Sequence, residues 1–396
     1  MTQHSPVASR VGELSATIQR FLRFYSHEFF ARSMADPKVS NFAVGNPQEM
    51  PLPAFGEVLR KWSVPHNKDW YAYKLSEPDS QQAVAESLRH LRGIPFEPQD
   101  IALTNGGFAA IKLALDTVVD RGDEVIFITP PWFFYEMLIT APGGIPVRVP
   151  IDPETFDLDL DAIEAAITSK TRAIIVNSPN NPTGKIYPRA TLERLAAILT
   201  KASERNGRTI YLLSDEAYSR IVYDGIEFTT PAGVYPNTFL LYTYGKTLLT
   251  PGQRLGYIAL PPEMPERETM RQAILISQVV GGYAFPNALL QHALGDLEKL
   301  SIDIEHLQYK RDWLVGELKG MGYDVHSPEG TFYLLPRSPI EDDWGFAETL
   351  ATHNILCLPG TIVEMPGYFR LSLTANDEMI EQSLPNFKAA RAAAIG

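Results

Sequence analysis

The chain has 396 residues, enough for one large or two medium domains with ample core. With 45% apolar and 21% charged residues it reads as globular, and a net charge of −12 without a basic block argues against nucleic acid or acidic membranes as partners. The single cysteine, Cys357, excludes an internal disulfide and a cysteine-based metal site and fits a reducing compartment. The start, MTQHSPVASRVGELS, lacks the layout of a signal peptide, and no run approaches the ~20 apolar residues of a membrane span. A cytoplasmic protein without a metal site is therefore expected.

In chain order, residues 1–35 read as helical and carry the aromatic run FLRFYSHEFF, a pattern that a helix face packed on a core would show. Short apolar segments follow, rich in β-branched residues: IALT (101–104), EVIFIT (124–129), AIIVNS (173–178), TIYLLSD (209–215), TFLLYTY (238–244) and LGYIAL (255–260). Helical stretches separate them. At 191–205, Leu192, Leu195, Ala196 and Leu199 fall at i, i+3, i+4 and i+7. Continuous apolar strands alternating with helices predict an α/β fold with a mostly parallel sheet covered on both faces. The stretch PPEMPERE in the 260s reads as a proline-rich loop. Beyond about residue 290, a long helical region precedes the shorter strand signals TFYLLP and YFRLSLT. This change predicts a second, smaller α+β domain: a large domain at 45–290, with 1–44 and 291–396 forming the small one.

Open parallel sheets bind ligands outside the carboxyl ends of their strands, so the residues after each strand are the test. Gly106, Gly107 and Phe108 follow IALT and open a helix; their free N–H groups and the helix dipole suit a phosphate, although a tight turn needs the same glycines. Trp132 follows EVIFIT, as a core residue or as a ring stacked on a flat ligand. Asn181 lies in PNNPTG after AIIVNS, a stretch that also reads as a simple turn. Asp215 ends TIYLLSD, where an unpaired carboxylate is costly unless it caps a helix or meets a cation, and Tyr218 follows three residues on. After TFLLYTY comes TYGKTLLTPGQRLGY, with Lys246 and Arg254 eight residues apart and no acid between them. GKT at 245–247 resembles the end of a phosphate loop, but Leu240 stands where its first glycine belongs, and no strand is followed by GxGxxG.

Together these strand ends describe a pocket for pyridoxal 5′-phosphate. Lys246 would join the cofactor aldehyde as a Schiff base, Arg254 would clamp the phosphate, and Asp215 would keep the pyridine nitrogen protonated. Asn181 and Tyr218 would hydrogen-bond the ring's phenolic oxygen.

From about Gly45 to about Arg370 the motifs resemble the class I/II pyridoxal-phosphate-dependent aminotransferases of fold type I, the aspartate aminotransferase-like group. NSPNNPTG (177–184) is very close to the family's NSPxNPTG; SDEAY (214–218) resembles its D-E-x-Y segment; and Lys246, Arg254 and Gly256 keep its K…R-x-G spacing. FRLSL (369–373) resembles the segment whose arginine, here Arg370, binds the substrate α-carboxylate, and FAVGNP (42–47) the segment that puts a glycine, here Gly45, near that carboxylate. Thr243 stands near the phosphate in place of the usual serine, and Gly245 in place of the serine often found before the lysine. Ser76, Gln81-Gln82 and Ala284 also depart from the family pattern.

The resemblance implies transfer of an amino group from an L-amino acid to a 2-oxo acid, with Lys246 as acid–base and Asp215 and Tyr218 beside it. It also implies a homodimer in which Tyr71, with Tyr73 as the competing candidate, reaches the phosphate in the other subunit, and a cis peptide before Pro182. Other reactions of the scaffold, such as β-elimination, cyclisation, decarboxylation or oxidation, stay open at this level. The donor is not specified: Trp132, Tyr71, Tyr73 and the N-terminal aromatics suit a bulky apolar side chain and core packing equally.

Overall fold

The structure, a computed structural model, describes residues 6–27, 30, 31 and 36–396. Of the expected helical stretch at 1–35, residues 1–5, 28, 29 and 32–35 lie outside the described residues. Within the rest, two helices form: α1 (Ser9–Thr17) and α2 (Gln19–Ser26), parted at Ile18. Phe24 of α2 is fully buried in the core formed with the C-terminal residues, whereas Phe21 and Tyr25 are not part of that core.

Seven strands make the central sheet: β1 (Ile101–Thr104), β2 (Glu124–Thr129), β3 (Ile145–Pro150), β4 (Thr171–Asn177), β5 (Tyr211–Asp215), β6 (Thr238–Thr243) and β7 (Gly256–Ala259). Their spatial order is β1-β7-β6-β5-β4-β2-β3. All neighbours run parallel except β7, which is antiparallel to both β1 and β6. The apolar segments expected as strands all form here. β3 was not among them. Its sequence, IPVRVP, is bounded by proline and half-exposed, which suits an edge strand where a missing N–H costs no ladder bond.

Successive residues of each strand serve opposite faces. Phe127, Leu213 and Phe239 join the cluster beneath the helices Gly107–Val118 and Arg267–Gly281. Ile126, Ile174 and Leu212 join the one beneath Arg189–Asn206, where Leu192, Leu195, Ala196 and Leu199 are buried as their spacing requires. The helical region after residue 287 is two helices, Ala288–Leu297 and Ile304–Gly320, the second capped by Asp303, whose carboxylate accepts from His306 N–H at 2.9 Å. Ala288–Leu297 shares a buried cluster with β1, β6 and β7.

The C-terminal residues build a three-stranded sheet with Phe369–Ser372 in the middle, between Leu358–Pro359 and Tyr333–Leu334. Ser40–Asn41 pairs in parallel with Ile355–Leu356, so the chain just before Gly45 is stitched to this part. Arg370 therefore stands on the central strand of the small sheet. Among the described residues, no helix is long and apolar enough to cross a membrane and no group of three or more His, Cys, Asp or Glu is placed to hold a metal.

The two parts meet at the loop after β4. Gly184 has φ +73°, and its carbonyl accepts from the N–H groups of Glu329 and Gly330 at 3.0 Å each, while Lys185 pairs with Glu329 at 2.7 Å. A Cβ at Gly184 would collide with Pro328 and lie 2.9 Å from the Gly330 carbonyl. Gly184→Ala thus combines a disfavoured left-handed conformation with backbone overlap. It is expected to lower unfolding stability by about 2–3 kcal/mol, read as a lower midpoint in denaturant at unchanged slope.

Candidate active site

The carboxyl ends of β4, β5 and β6, with the turn after β1, open on one cleft of about 690 Å3. Gly107, Phe108, Trp132, Asn181, Asp215, Tyr218, Thr243, Lys246 and Arg254 all line it. These are the residues singled out at the strand ends, and the sheet's topology places them together.

Asp215 ends β5 and is 7% exposed. One carboxylate oxygen accepts from the Tyr135 hydroxyl at 2.5 Å and the other from the Ala217 N–H at 3.2 Å. Burial pushes this carboxyl above its ordinary range, against the opposing pull of those hydrogen bonds and of Lys246. Burial, then the charge of Asp215, pushes the Tyr135 phenol well above its own ordinary value, so Tyr135 stays a donor. Asn177 adds a further tie, its amide donating to the Asp215 carbonyl at 2.9 Å and its side-chain oxygen accepting from Asn181 N–H at 2.8 Å.

Lys246 follows β6 in a single helical turn, Tyr244–Thr247. Its ammonium lies 5.5 Å from the centre of the Tyr218 ring and 5.6 Å from that of Phe332, and it forms no ion pair or hydrogen bond with another described residue. The Arg254 guanidinium rests against the turn at the start of helix Gly107–Val118; a Cβ on Gly106, whose φ is +82°, would sit 2.8 Å from it. Arg254 donates to the Pro251 carbonyl at 2.7 Å and meets no carboxylate among the described residues. Thr243, the helix start and Arg254 thus form an anion cradle.

Arg370 is 4% exposed. It donates to the Asn181 side-chain oxygen at 3.0 Å and to the Ala43 carbonyl at 3.1 Å, covers the Tyr333 ring at 4.1 Å, and leaves its buried Nε without a partner. Gly45 lies against the Tyr333 hydroxyl. The Tyr218 ring meets that of Tyr333 edge-on at 6.0 Å, and burial followed by that neighbour's charge pushes the Tyr218 phenol well up. Burial also opposes ionising Tyr333, but the charges of Arg370 and Lys246 outweigh it and hold this phenol below its ordinary value. The peptide bonds before Pro130, Pro179 and Pro182 are cis.

Tyr71 and Tyr73 do not enter the cleft of their own chain. The Tyr71 hydroxyl donates to the Ser63 carbonyl, and Tyr73 is 86% exposed with its ring 4.9 Å from Phe285. Sequence reasoning missed Tyr135, Tyr333 and Asn177 as site residues. Only Tyr135 carried a signal, lying three residues after Trp132 at a strand end.

The described charges make a test possible in the cofactor-free protein. Because the folded-state pKa of Asp215 is raised, the buried carboxylate costs stability once pH exceeds that value and nothing below the ordinary carboxylate range. Asp215→Asn is expected to raise the melting temperature of the cofactor-free protein at pH 7–8, with the gain vanishing toward pH 3; a constant or inverted difference across that range would contradict the assignment.

A family model described as aminotransferase class I and II matches residues 37–385. The aspartate/prephenate aminotransferase of Thermus thermophilus is 31% identical over 333 residues, covering 82% of this chain and 84% of that protein. A probable aspartate/prephenate aminotransferase of Thermus aquaticus is 30% identical over 335 residues, with 83% and 85% covered. Among solved structures, an aminotransferase from Eubacterium rectale superposes with a TM-score of 0.89 at 28% identity, covering 98% of this chain and 99% of that one.

Proposed function

Because the chain belongs to the aminotransferase class I and II family and is a transaminase of the aspartate aminotransferase-like fold, we propose that it moves the amino group of an L-amino acid to a 2-oxo acid through pyridoxal 5′-phosphate held in the cleft after β4, β5 and β6. The observation that carries this reading is Lys246 beside a buried Asp215, with neither paired to an opposite charge at hydrogen-bond distance. The residues fit the cofactor. Arg254, Thr243 and the Gly106–Gly107 helix start offer an anion cradle without a competing acid. Asp215, with Tyr135 on one oxygen, awaits a cationic ring nitrogen. Trp132 and Phe108 offer rings for a flat ligand, and Asn181 and Tyr218 offer donors to its phenolic oxygen.

When bound, pyridoxal 5′-phosphate supplies an aldehyde that a lysine amine can join and a ring that withdraws electrons from the substrate's Cα. The chain's residues do the rest. Arg370 and Asn181 take the α-carboxylate, the guanidinium using the Nε that has no protein partner. Gly45 lets the Tyr333 hydroxyl pack against the backbone there, where any side chain would displace it. Lys246 Nζ is the base that takes the Cα proton and delivers it on, and burial of the cleft walls keeps water from competing.

The partner in this proposal is a second copy of the chain. Helix Arg267–Gly281 leaves Ile276, Val279 and Val280 exposed at 63%, 59% and 83%, an apolar stripe unusual for a monomer surface. In this proposal Tyr71 or Tyr73 serves the other subunit's cofactor phosphate across such an interface. The domain division at 45–290 and 1–44 with 291–396 belongs to the same proposal, with Ala288–Leu297 crossing the boundary and packing on the large part. A cytoplasmic setting rests on the single, buried Cys357.

Lys246→Ala is expected to abolish turnover, by at least about 1,000-fold, and to remove the visible absorption of lysine-attached cofactor. Full activity in this variant would end the proposal. Arg370→Ala should raise the KM for the amino donor about 100-fold or more, since a carboxylate is then left unpaired in a buried site. An unchanged donor KM in steady-state assays would remove Arg370 from this role.

A further inference from the structure

The aromatic residues around the cleft divide into two sets. Phe24 and Phe30 are fully buried and belong to the core. Phe21, Phe108, Trp132, Phe133 and Phe134 are only partly buried, and Tyr25 is 38% exposed. The second set forms a continuous arc. The Phe21 ring stacks on Phe133 at 4.5 Å and meets Tyr25 at 4.6 Å and Phe134 at 5.2 Å. Phe134 in turn lies 5.2 Å from Phe108 and 5.1 Å from Trp132. One end of the arc is at the Lys246 cleft, which Phe108 and Trp132 line. The other end reaches the core that holds Tyr333, the ring beneath Arg370: Phe133 packs on that core, and Tyr25 meets its member Phe24 at 5.5 Å.

A donor held by its α-carboxylate on Arg370 and by its reacting carbon at Lys246 leaves its side chain, a separate substituent of that carbon, to the ring surfaces of Phe108 and Trp132 that line the cleft and begin the arc. The cations nearest the arc are already engaged. Arg148 pairs with Glu364 at 3.1 Å and also with Glu136, Arg20 lies 3.8 Å from Glu364, and Arg23 covers the Trp344 ring at 5.0 Å. A second carboxylate placed there would lose its water, meet ring faces, and approach the charges of Glu136 and Glu364. An aromatic or large apolar side chain instead covers half-exposed ring surface and removes apolar area of both partners from water.

We infer that this arc, from Tyr25 through Phe21, Phe133 and Phe134 to Trp132, receives the donor's side chain, and that the preferred donors carry an aromatic or large apolar group rather than a second carboxylate. This rests on the aminotransferase reading above and adds to it the class of substrate. It also separates this chain from what the names of the Thermus proteins state of them.

The test uses the purified enzyme loaded with pyridoxal 5′-phosphate. Two unreactive probes, 3-phenylpropionate and maleate, are titrated calorimetrically, and L-phenylalanine, L-leucine, L-alanine and L-aspartate are compared as donors. The inference predicts that 3-phenylpropionate binds at least about 10-fold tighter than maleate and that kcat/KM for phenylalanine exceeds that for aspartate by about 100-fold. Phe21→Ala and Tyr25→Ala should each lower the phenylalanine-to-alanine ratio of kcat/KM by roughly 10-fold, with Phe21→Leu retaining more of it than Phe21→Ala. A fold lost through misfolding would depress both donors together and leave the ratio unchanged. Tighter binding of maleate, preference for aspartate, or an unchanged ratio in both alanine variants at undiminished turnover of alanine would overturn the inference while leaving the aminotransferase reading intact. Failure of every amino acid to alter the bound cofactor's spectrum would overturn that reading and the inference with it.

Discussion

Asp215 is buried at the end of a parallel strand with a phenol, not a cation, for its nearest partner. A carboxylate in that position is costly, and the protein tolerates it because Tyr135, the Ala217 N–H and the charge of Lys246 offset part of the desolvation. The same condition recurs at Arg370, which is buried with two neutral acceptors and a free Nε, and at Lys246, which has rings rather than acids around it. These charges are held apart from one another by the scaffold. In the proposed function each meets a group brought by a ligand: a carboxylate at Arg370, a ring cation at Asp215, and at Lys246 a carbonyl carbon that the neutral amine attacks.

The scaffold does this with two sheets. The large one brings the ends of β4, β5 and β6 to one crevice, as a parallel sheet with helical crossovers must. The small one carries Arg370 on its central strand, and Ser40–Asn41 ties the Gly45 segment to that part by pairing with Ile355–Leu356. Arg370 then reaches across to Asn181 on the loop after β4, a contact between residues 189 apart in sequence. Closing two separately built parts over one reacting atom is a general way to exclude water and fix geometry.

Much of this was legible in the sequence because the chemistry lies where local patterns change. The runs that form β1, β2, β4, β5, β6 and β7 are apolar and short, and the residues after them are those that line the cleft. What escaped did so for physical reasons. β3 is an edge strand whose prolines imitate a loop. Tyr135 matters through a hydrogen bond to a residue 80 positions away, and Tyr333 through contact with Arg370 and Tyr218; neither distance can be read from spacing. The aromatic run at 21–30 was ambiguous between packing and binding, and it does divide, with Phe24 and Phe30 in the core while Phe21 and Tyr25 face the arc. Tyr71 and Tyr73 do not line the cleft of their own chain; Tyr71 bonds the Ser63 carbonyl and Tyr73 packs on Phe285.

The central claim is that one amine, Lys246 Nζ, is the point of attachment for the cofactor aldehyde. Incubating the protein with pyridoxal 5′-phosphate, reducing with borohydride and mapping the fixed label by peptide mass spectrometry tests it directly. The account predicts one stoichiometric label per chain, on the peptide containing Lys246. A stoichiometric label on any other lysine, or none, would contradict it.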